Sequence, residues 1–425
     1  MELSDEQKLA YDKYLQGHNL FITGPGGSGK SAFIKMVYAS NRSKVQVTAM
    51  TGCAAILLEC KAKTLHSWAG IGLGKGTSEI FIEKIRKSFY LRNVWRSIDV
   101  LVVDEVSMLS LKLFNLLNEI GKGVRGNRRP FGGIQLIFSG DFYQLPPVGD
   151  KNDPESQQFC FESTEWNTVF PNQIELVKVF RQTDELYSSL LNQLRQGRIT
   201  KTACDLLSAQ VGKELDPNLL VEPTKLFPTK KKVDQINLSK MEGLTGEAKT
   251  YHLRCIGEVD KNVQYEHEFL ASNLLCDKVI TLKVGAQVMC IINITVEDEL
   301  VICNGSQGIV TGFVNENPRV KYNNGVEMVM MRHVWESEKI QDVSVSQIPL
   351  ILSWALTIHK SQGATLDTAE IDAGSGIFEC GQTYVALSRV KSLEGLYLTS
   401  FDPKKILIKK KVKEFYESLV TVIKN

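Results

Sequence analysis

Eight residues near the start of the chain, Gly24-Pro25-Gly26-Gly27-Ser28-Gly29-Lys30-Ser31, fit the pattern G-x-x-x-x-G-K-[ST]. Glycines at this density let consecutive backbone N–H groups turn toward phosphate oxygens. A helix that starts where the run ends adds its positive N-terminal end. Lys30 then reaches the β- and γ-phosphates of a nucleoside triphosphate, and the Ser31 hydroxyl can hold Mg²⁺. Further on, the apolar run Val100-Leu101-Val102-Val103 ends in two acids. Asp104 is assigned to Mg²⁺ and Glu105 to the attacking water. A third apolar run, Ile134–Phe138, leads into Ser139-Gly140-Asp141-Phe142-Tyr143-Gln144. A neutral amide at a strand end can sense a γ-phosphate without adding charge, so Gln144 is the candidate sensor. Each motif has a bland alternative: a ligand-free glycine turn, an acid that only caps a helix, a Gln that only closes a turn before Pro146-Pro147.

Hydrolysis spreads negative charge over the γ-phosphoryl oxygens, and an arginine delivered from a second domain stabilises it. Arg181 in LVKVFRQ and Arg389 in TYVALSRVKS are the candidates. An arginine among apolar residues needs a partner, so a structural ion pair is the competing role of each.

These residues need a scaffold, and the chain supplies one. Asn19–Thr23 reads as a short buried strand entering the glycine loop, with a helix over SAFIKMVYAS. VQVTAM, Val100–Asp104 and IQLIFSG read as further strands. Continuous apolar runs of strand length, alternating with helices, are the pattern of a parallel sheet covered on both faces, hence an α/β domain in layers. Ser4 to Leu15 reads as a helix capped by Ser4 or Asp5. From Gly285 to about Glu336, short strands separated by Asn and Gly turns predict an antiparallel barrel or sandwich. IPLILSWAL and GLYLTS then return to buried strands. KKILIKKKVKEFYESL reads as a basic amphipathic helix with a solvated face.

The 425 residues allow two or three domains with cores of their own. A net charge of +2 makes any nucleic-acid site local. The nine cysteines are odd in number and form no C-x-x-C pair, which suits reduced thiols. No apolar run is long enough to cross a bilayer. The N-terminus has acids and no apolar signal region. The expectation is an intracellular protein with no targeting signal, in cytoplasm or nucleus according to its source.

In order and in detail, the motifs resemble those of superfamily 1 helicases, specifically the petite-integration-frequency type (PIF-type), relatives of the RecD-like enzymes. The resemblance rests on LSDEQKLAYD, TAMTGCAAILL, TLHSWAGIG, VDEVSML, FSGDFYQLPPV, VFRQ, LFPTKKKVDQIN, NGSQGIV, TIHKSQGATLD and TYVALSRV, from residue 4 to about 400. It implies two RecA-like phosphate-loop NTPase domains with an inserted wedge subdomain and an inserted SH3-like β subdomain. The implied limits are 1–71 with 99–178, 72–98 for the wedge, 179–240 with 346–425, and 241–345 for the β insert. It implies ATP and Mg²⁺ as cofactors. It implies 5′→3′ movement on single-stranded DNA and separation of forked or tailed duplex, in replication, repair or recombination, by a monomer without a membrane partner. Gln7 would contact adenine, Gly363 would lie near the γ-phosphate, and Tyr384 would belong to the nucleotide site. Thr51 and His66 would lie on the strand path in the first motor domain, and Thr357, His359, Lys360 and Ser361 in the second. Asn304 and Gly305 would close over the strand. Taken alone, His359-Lys360 is a polar turn after a buried strand, and Trp68 and Phe142 can either stack on bases or pack in a core. An RNA motor, a pure translocase, a phosphate-loop kinase or switch, and a hydrolytically dead binder remain alternatives.

Overall fold

The computed structural model describes residues 3–423, apart from 41–42, 59, 73, 183, 228, 259, 298, 338–339, 341, 359, 362, 375 and 378. It divides into two compact units, residues 1–181 with 407–425, and residues 182–406.

The first unit begins with α1 (Asp5–Leu15), β1 (Leu20–Thr23), α2 (Lys30–Ala39), β2 (Val45–Ala49), α3 (Gly52–Leu58), β3 (Lys63–Thr64) and α4 (Leu65–Ala69). It continues through α5 (Ser78–Lys87), α6 (Phe89–Ser97), β4 (Val100–Asp104), α7 (Leu111–Arg125), β5 (Gln135–Ser139), α8 (Trp166–Val169) and β6 (Asn172–Glu175). Ser4 caps α1: its hydroxyl accepts the Gln7 N–H while the Gln7 side chain accepts the Ser4 N–H, a reciprocal box that satisfies two orphan donors. The six strands form one sheet in the order β3-β2-β4-β5-β1-β6, and every neighbouring pair is parallel. All residues of β1 and β4 are buried, as expected for strands covered on both faces. Because β4, β5 and β1 are neighbours, their C-terminal ends share one edge, where open α/β sheets bind ligands. Phe81, Ile85 and Trp95 of α5 and α6 join the same core as Phe21, Phe114 and Phe138. The segment expected as a wedge is therefore a helical pair rooted in this unit's interior.

The second unit opens with α9 (Glu185–Gln196), α10 (Lys201–Ser208), β7 (Thr224–Phe227) and α11 (Lys230–Glu242). The insert follows, with β8 (Ala248–His252), β9 (Arg254–Ile256), α12 (Lys261–Asn273), β10 (Val279–Lys283), β11 (Gln287–Cys290), β12 (Ile294–Val296) and β13 (Glu299–Ile302). It ends with β14 (Gln307–Val314), β15 (Asn317–Tyr322), β16 (Glu327–Val329), β17 (His333–Glu336), β18 (Ser344–Gln347) and β19 (Leu350–Leu352). Then come β20 (Ala355–Thr357), β21 (Ala369–Ala373), α13 (Gln382–Leu387) and β22 (Leu396–Phe401). The strands β20-β7-β21-β22 form a parallel sheet. The insert is antiparallel, with a five-stranded sheet in the order β16-β15-β14-β11-β19 and three smaller sheets. It runs from Ala248 to Leu352, wider than the stretch read from turn residues, because β8 and β9 are largely exposed and lack an apolar run. Buried Gln307 of β14 fastens the insert to the parallel sheet: its amide donates to Thr224 Oγ1 (2.7 Å) and the Thr368 carbonyl, and accepts the Asp367 and Thr368 N–H groups.

The last helix, α14 (Lys410–Ile423), departs from the expectation that 346–425 belongs to the second domain. Val412, Tyr416 and Leu419 lie in the first unit's core. Apolar residues at this spacing announce a helix with one buried face, but nothing local says which core receives it. Among the described residues no helix is long and apolar enough to cross a membrane.

Candidate active site

The phosphate loop joins β1 to α2. Gly29, at the position before α2, has φ 88°, and Gly27 has φ 83°, a region where L-residues are strained. A Cβ on Gly27 would also collide with Arg181, and one on Gly29 with the Gln7 side chain. Helix N-termini usually recruit acids or a side-chain cap. The first turn of α2 has neither, so the positive end of its dipole meets no acidic side chain of its own turn. The Ser28 hydroxyl is buried without a hydrogen-bond partner. Lys30 Nζ donates to the carbonyls of Gly24 (2.7 Å) and Pro25 (2.9 Å), which holds the amine over the loop. Ser31 is exposed beside it. Together, Gly24, Gly26, Gly27, Ser28, Gly29, Lys30 and Ser31 form a backbone cradle with one cation, which fits a phosphate chain.

Asp104 ends β4 and is buried. Burial raises its carboxyl above the usual range; the Ser139 hydroxyl, the Glu105 N–H and the Lys30 charge oppose that shift. A carboxylate short of solvation gains from a hard cation, so Asp104 with the Ser31 hydroxyl fits Mg²⁺. Glu105 follows at φ 57°, ψ 41°, left-handed for a residue that is not glycine. Such backbone states cluster at functional sites. Beyond β5, the Gly140 N–H donates to the Ile22 carbonyl of β1 (3.1 Å). The Gln144 N–H closes a turn onto the Asp141 carbonyl (2.9 Å). Asp141, fully buried, accepts the Tyr143 N–H (3.2 Å) and the Tyr416 hydroxyl (3.1 Å). Asp104 at the end of one strand, and Glu105, Lys30 and Gln144 beyond the ends of that strand and its two neighbours, thus come from one edge of the sheet.

Arg181 was expected on the second domain. Instead it is the last residue of the first unit before α14 and packs on Gly27. The reason is a backbone bond: the Phe180 N–H donates to the Gly27 carbonyl (2.8 Å), drawing the chain after β6 onto the loop. Gln7 is buried and donates to the Gly29 carbonyl (3.3 Å). Phe180, not singled out from sequence, sets its partly exposed ring beside Gly29; the only signal was an aromatic residue next to the arginine. In the second unit Arg389 is buried at the end of α13, donating to the Val385 carbonyl (3.0 Å) and Ser388 Oγ (2.9 Å). Tyr384 is buried on the same helix, and Gly363 has φ 85°.

Of the residues expected on the strand path, Thr51 accepts the Ala54 N–H at the start of α3 (3.2 Å). His66 lies on α4, where burial lowers its imidazole pKa. In the second unit Thr357 Oγ1 accepts the Lys360 N–H (3.0 Å). Lys360 Nζ donates to the Leu275 carbonyl (3.2 Å), and fully buried Ser361 donates to the Ile358 carbonyl (2.8 Å). The Asn304 N–H donates to Asn293 (3.0 Å), and Gly305 packs against the Thr365 backbone. His359 lies outside the described residues. Trp68 and Phe142 are core residues: Trp68 sits 4.6 Å from the Trp95 ring, and Phe142 lies among Phe21, Phe159, Phe161 and Phe415.

Comparison with known proteins yields two family matches: PIF1-like helicase over residues 2–205 and the DNA helicase Pif1 2B domain over residues 267–313. The chain is similar to the ATP-dependent DNA helicase PIF1 of Danio rerio, at 40% identity over 98% of this chain and 64% of the relative. It is similar to that of Emericella nidulans at 38% identity over 95% of this chain and 61% of the relative. The chain thus spans somewhat under two thirds of the length of these curated relatives. Among solved structures, the Pif1 helicase from Candida albicans matches at 38% identity, covering 99% of this chain and all of that one, with a TM-score of 0.76. Pif1 from Bacteroides sp in complex with ADP-AlF4 matches at 29% identity over 99% and 98% of the two chains, with a TM-score of 0.85.

Proposed function

This chain belongs to the PIF1-like helicase family, and on that premise we propose that it is an ATP-dependent DNA helicase that moves 5′→3′ on single-stranded DNA and separates duplex. One observation carries the reading: the phosphate loop, the Asp104–Glu105 pair and the turn that closes at Gln144 come at the C-terminal ends of three neighbouring strands of one parallel sheet. The two parallel sheets are read as RecA-like motor cores, 72–98 as the wedge and 241–345 as the SH3-like subdomain. In this reading the loop N–H groups and Lys30 bind the ATP phosphates, with Gln7 toward the adenine. Asp104 and Ser31 hold Mg²⁺, which when bound neutralises charge on the β- and γ-phosphates. Glu105 takes the proton of the attacking water. Gln144 and Gly363 lie toward the γ-phosphate, and Arg181 and Arg389 stabilise the charge that develops there. Thr51, His66, Asn304, Thr357, His359, Lys360 and Ser361 are assigned to the DNA strand. Backbone contacts of that kind make affinity fall steeply with salt.

The test has two arms. Lys30→Ala is expected to abolish DNA-stimulated ATP hydrolysis; retained turnover overturns the loop assignment. Strand displacement is expected from duplexes with a 5′ tail, and unwinding from the 3′ tail alone overturns the polarity.

A further inference from the structure

The end of the chain returns to the nucleotide site through one side chain. Tyr416 on α14 is buried, and its ring stacks on Tyr143 with centroids 4.4 Å apart and planes at 14°. Its hydroxyl meets three groups. It lies 2.6 Å from Thr23 Oγ1, it donates to Asp141 Oδ1 (3.1 Å), and it accepts the Phe142 N–H (3.1 Å). A phenol has one proton to donate and two lone pairs. With that proton on Asp141, the Thr23 hydroxyl donates to the tyrosine, and the oxygen is saturated. The helix carrying it is anchored on both sides of Tyr416, by buried Val412 and Leu419, and Lys411 pairs with Glu162.

The partners give the hydroxyl its meaning. Thr23 is the last residue of β1 and precedes Gly24 of the phosphate loop. Asp141 and Phe142 open the turn that ends at Gln144, and the Asp141 carbonyl holds the Gln144 N–H. One buried oxygen therefore ties the root of the loop to the root of the sensor turn. Displacement of a reacting group by about 1 Å can cost on the order of a hundredfold in rate.

We propose that Tyr416 is a positioning residue for ATP hydrolysis, holding Gln144 and the start of the phosphate loop at a fixed separation through its hydroxyl. The proposal rests on the assignment of Gln144 as γ-phosphate sensor. Tyr416→Phe keeps the ring and its stacking and removes only the oxygen. In the full chain with single-stranded DNA, its kcat for ATP is expected to fall about ten- to a hundredfold, with KM for ATP little changed. A merely structural tyrosine would lower the thermal midpoint and leave kcat per folded molecule intact, and that outcome overturns the proposal. Combined with Gln144→Ala, the tyrosine change is expected to add almost nothing, since groups acting as a unit are not additive. Full additivity overturns the route through Gln144. Should Gln144→Ala alone leave kcat unchanged, the sensor assignment falls. An impaired Gln144→Ala beside an unimpaired Tyr416→Phe removes only the tyrosine's role. If Tyr416→Phe does not fold, Thr23→Val removes the partner hydroxyl, keeps the bonds to Asp141 and Phe142, and is read by the same kcat and KM split.

Discussion

Replacing Glu105 by glycine and, separately, by alanine divides the work of its side chain from that of its backbone. Glu105 sits at φ 57°, ψ 41°, which costs an L-residue about 1–2 kcal/mol. Glycine removes that cost, but its unfolded chain has more freedom to lose, about 0.4–1 kcal/mol. Contacts of the carboxylate disappear in both variants and cancel. The glycine variant is therefore expected to be more stable than the alanine variant by about 0.5–1 kcal/mol. In a domain of this size that corresponds to roughly 1–4 °C in thermal midpoint. Both variants lose the group assigned to the water, and general-base catalysis is worth about 10²–10⁴-fold. Turnover should thus collapse equally in the two. Scanning calorimetry of both proteins, beside phosphate release with saturating DNA, measures both effects. An alanine variant as stable as the glycine one refutes the backbone argument; turnover surviving in either refutes the role of the carboxylate.

Other outcomes follow from burial. Trp68→Ala is expected to lose about 3–5 kcal/mol of stability, because Trp68 packs on Trp95 in the core; Trp68→Phe should bind single-stranded DNA like the parent, and a loss of affinity by titration would return Trp68 to base stacking. Burial sets the His66 pKa below its ordinary 6.5. Between the two values the unfolded chain binds more protons, so His66 contributes stability above pH 6.5 that is lost as the pH falls through that window; NMR titration of its ring checks the midpoint, and one above 6.5 contradicts the assignment. Burial pushes the Cys160 thiol well up, Cys276 to about 12 and Cys290 to about 11, whereas Cys255 is exposed. Iodoacetamide mapped by peptide mass spectrometry should reach Cys255 first and the other three only on unfolding.

The residues proposed for the nucleotide site stand out in the sequence because they sit where strong local patterns end. Strands covered on both faces are uninterrupted apolar runs, so β1, β4 and β5 and the residues after them stand out. Ser4 or Asp5 marked a helix start in the same way, and the structure settles the cap on Ser4. What local pattern does not carry is destination. The spacing of Val412, Tyr416 and Leu419 predicts a buried face without naming the core that takes it. Arg181 is drawn to the loop by the Phe180–Gly27 backbone bond, which has no sequence signature. Trp68 and Phe142 are aromatic in either role, and only their neighbours decide for packing. The exposed strands β8 and β9 offer no apolar alternation to find.

The return of α14 to the first unit has a consequence for synthesis. Domains usually form in order as the chain emerges from the ribosome. Here the first unit cannot close its core when its own sheet is complete, because Val412, Tyr416 and Leu419 are made after every residue of the second unit. Until then Phe21, Phe142 and Trp166 lack Phe415, and Tyr143 lacks Tyr416, their ring partners in the finished fold. The nascent first unit therefore waits with an open apolar face, the kind of surface chaperones hold, while the second unit is being made. Thr23, at the root of the glycine loop, is made before the second unit, and Tyr416, whose hydroxyl it meets, is made after it.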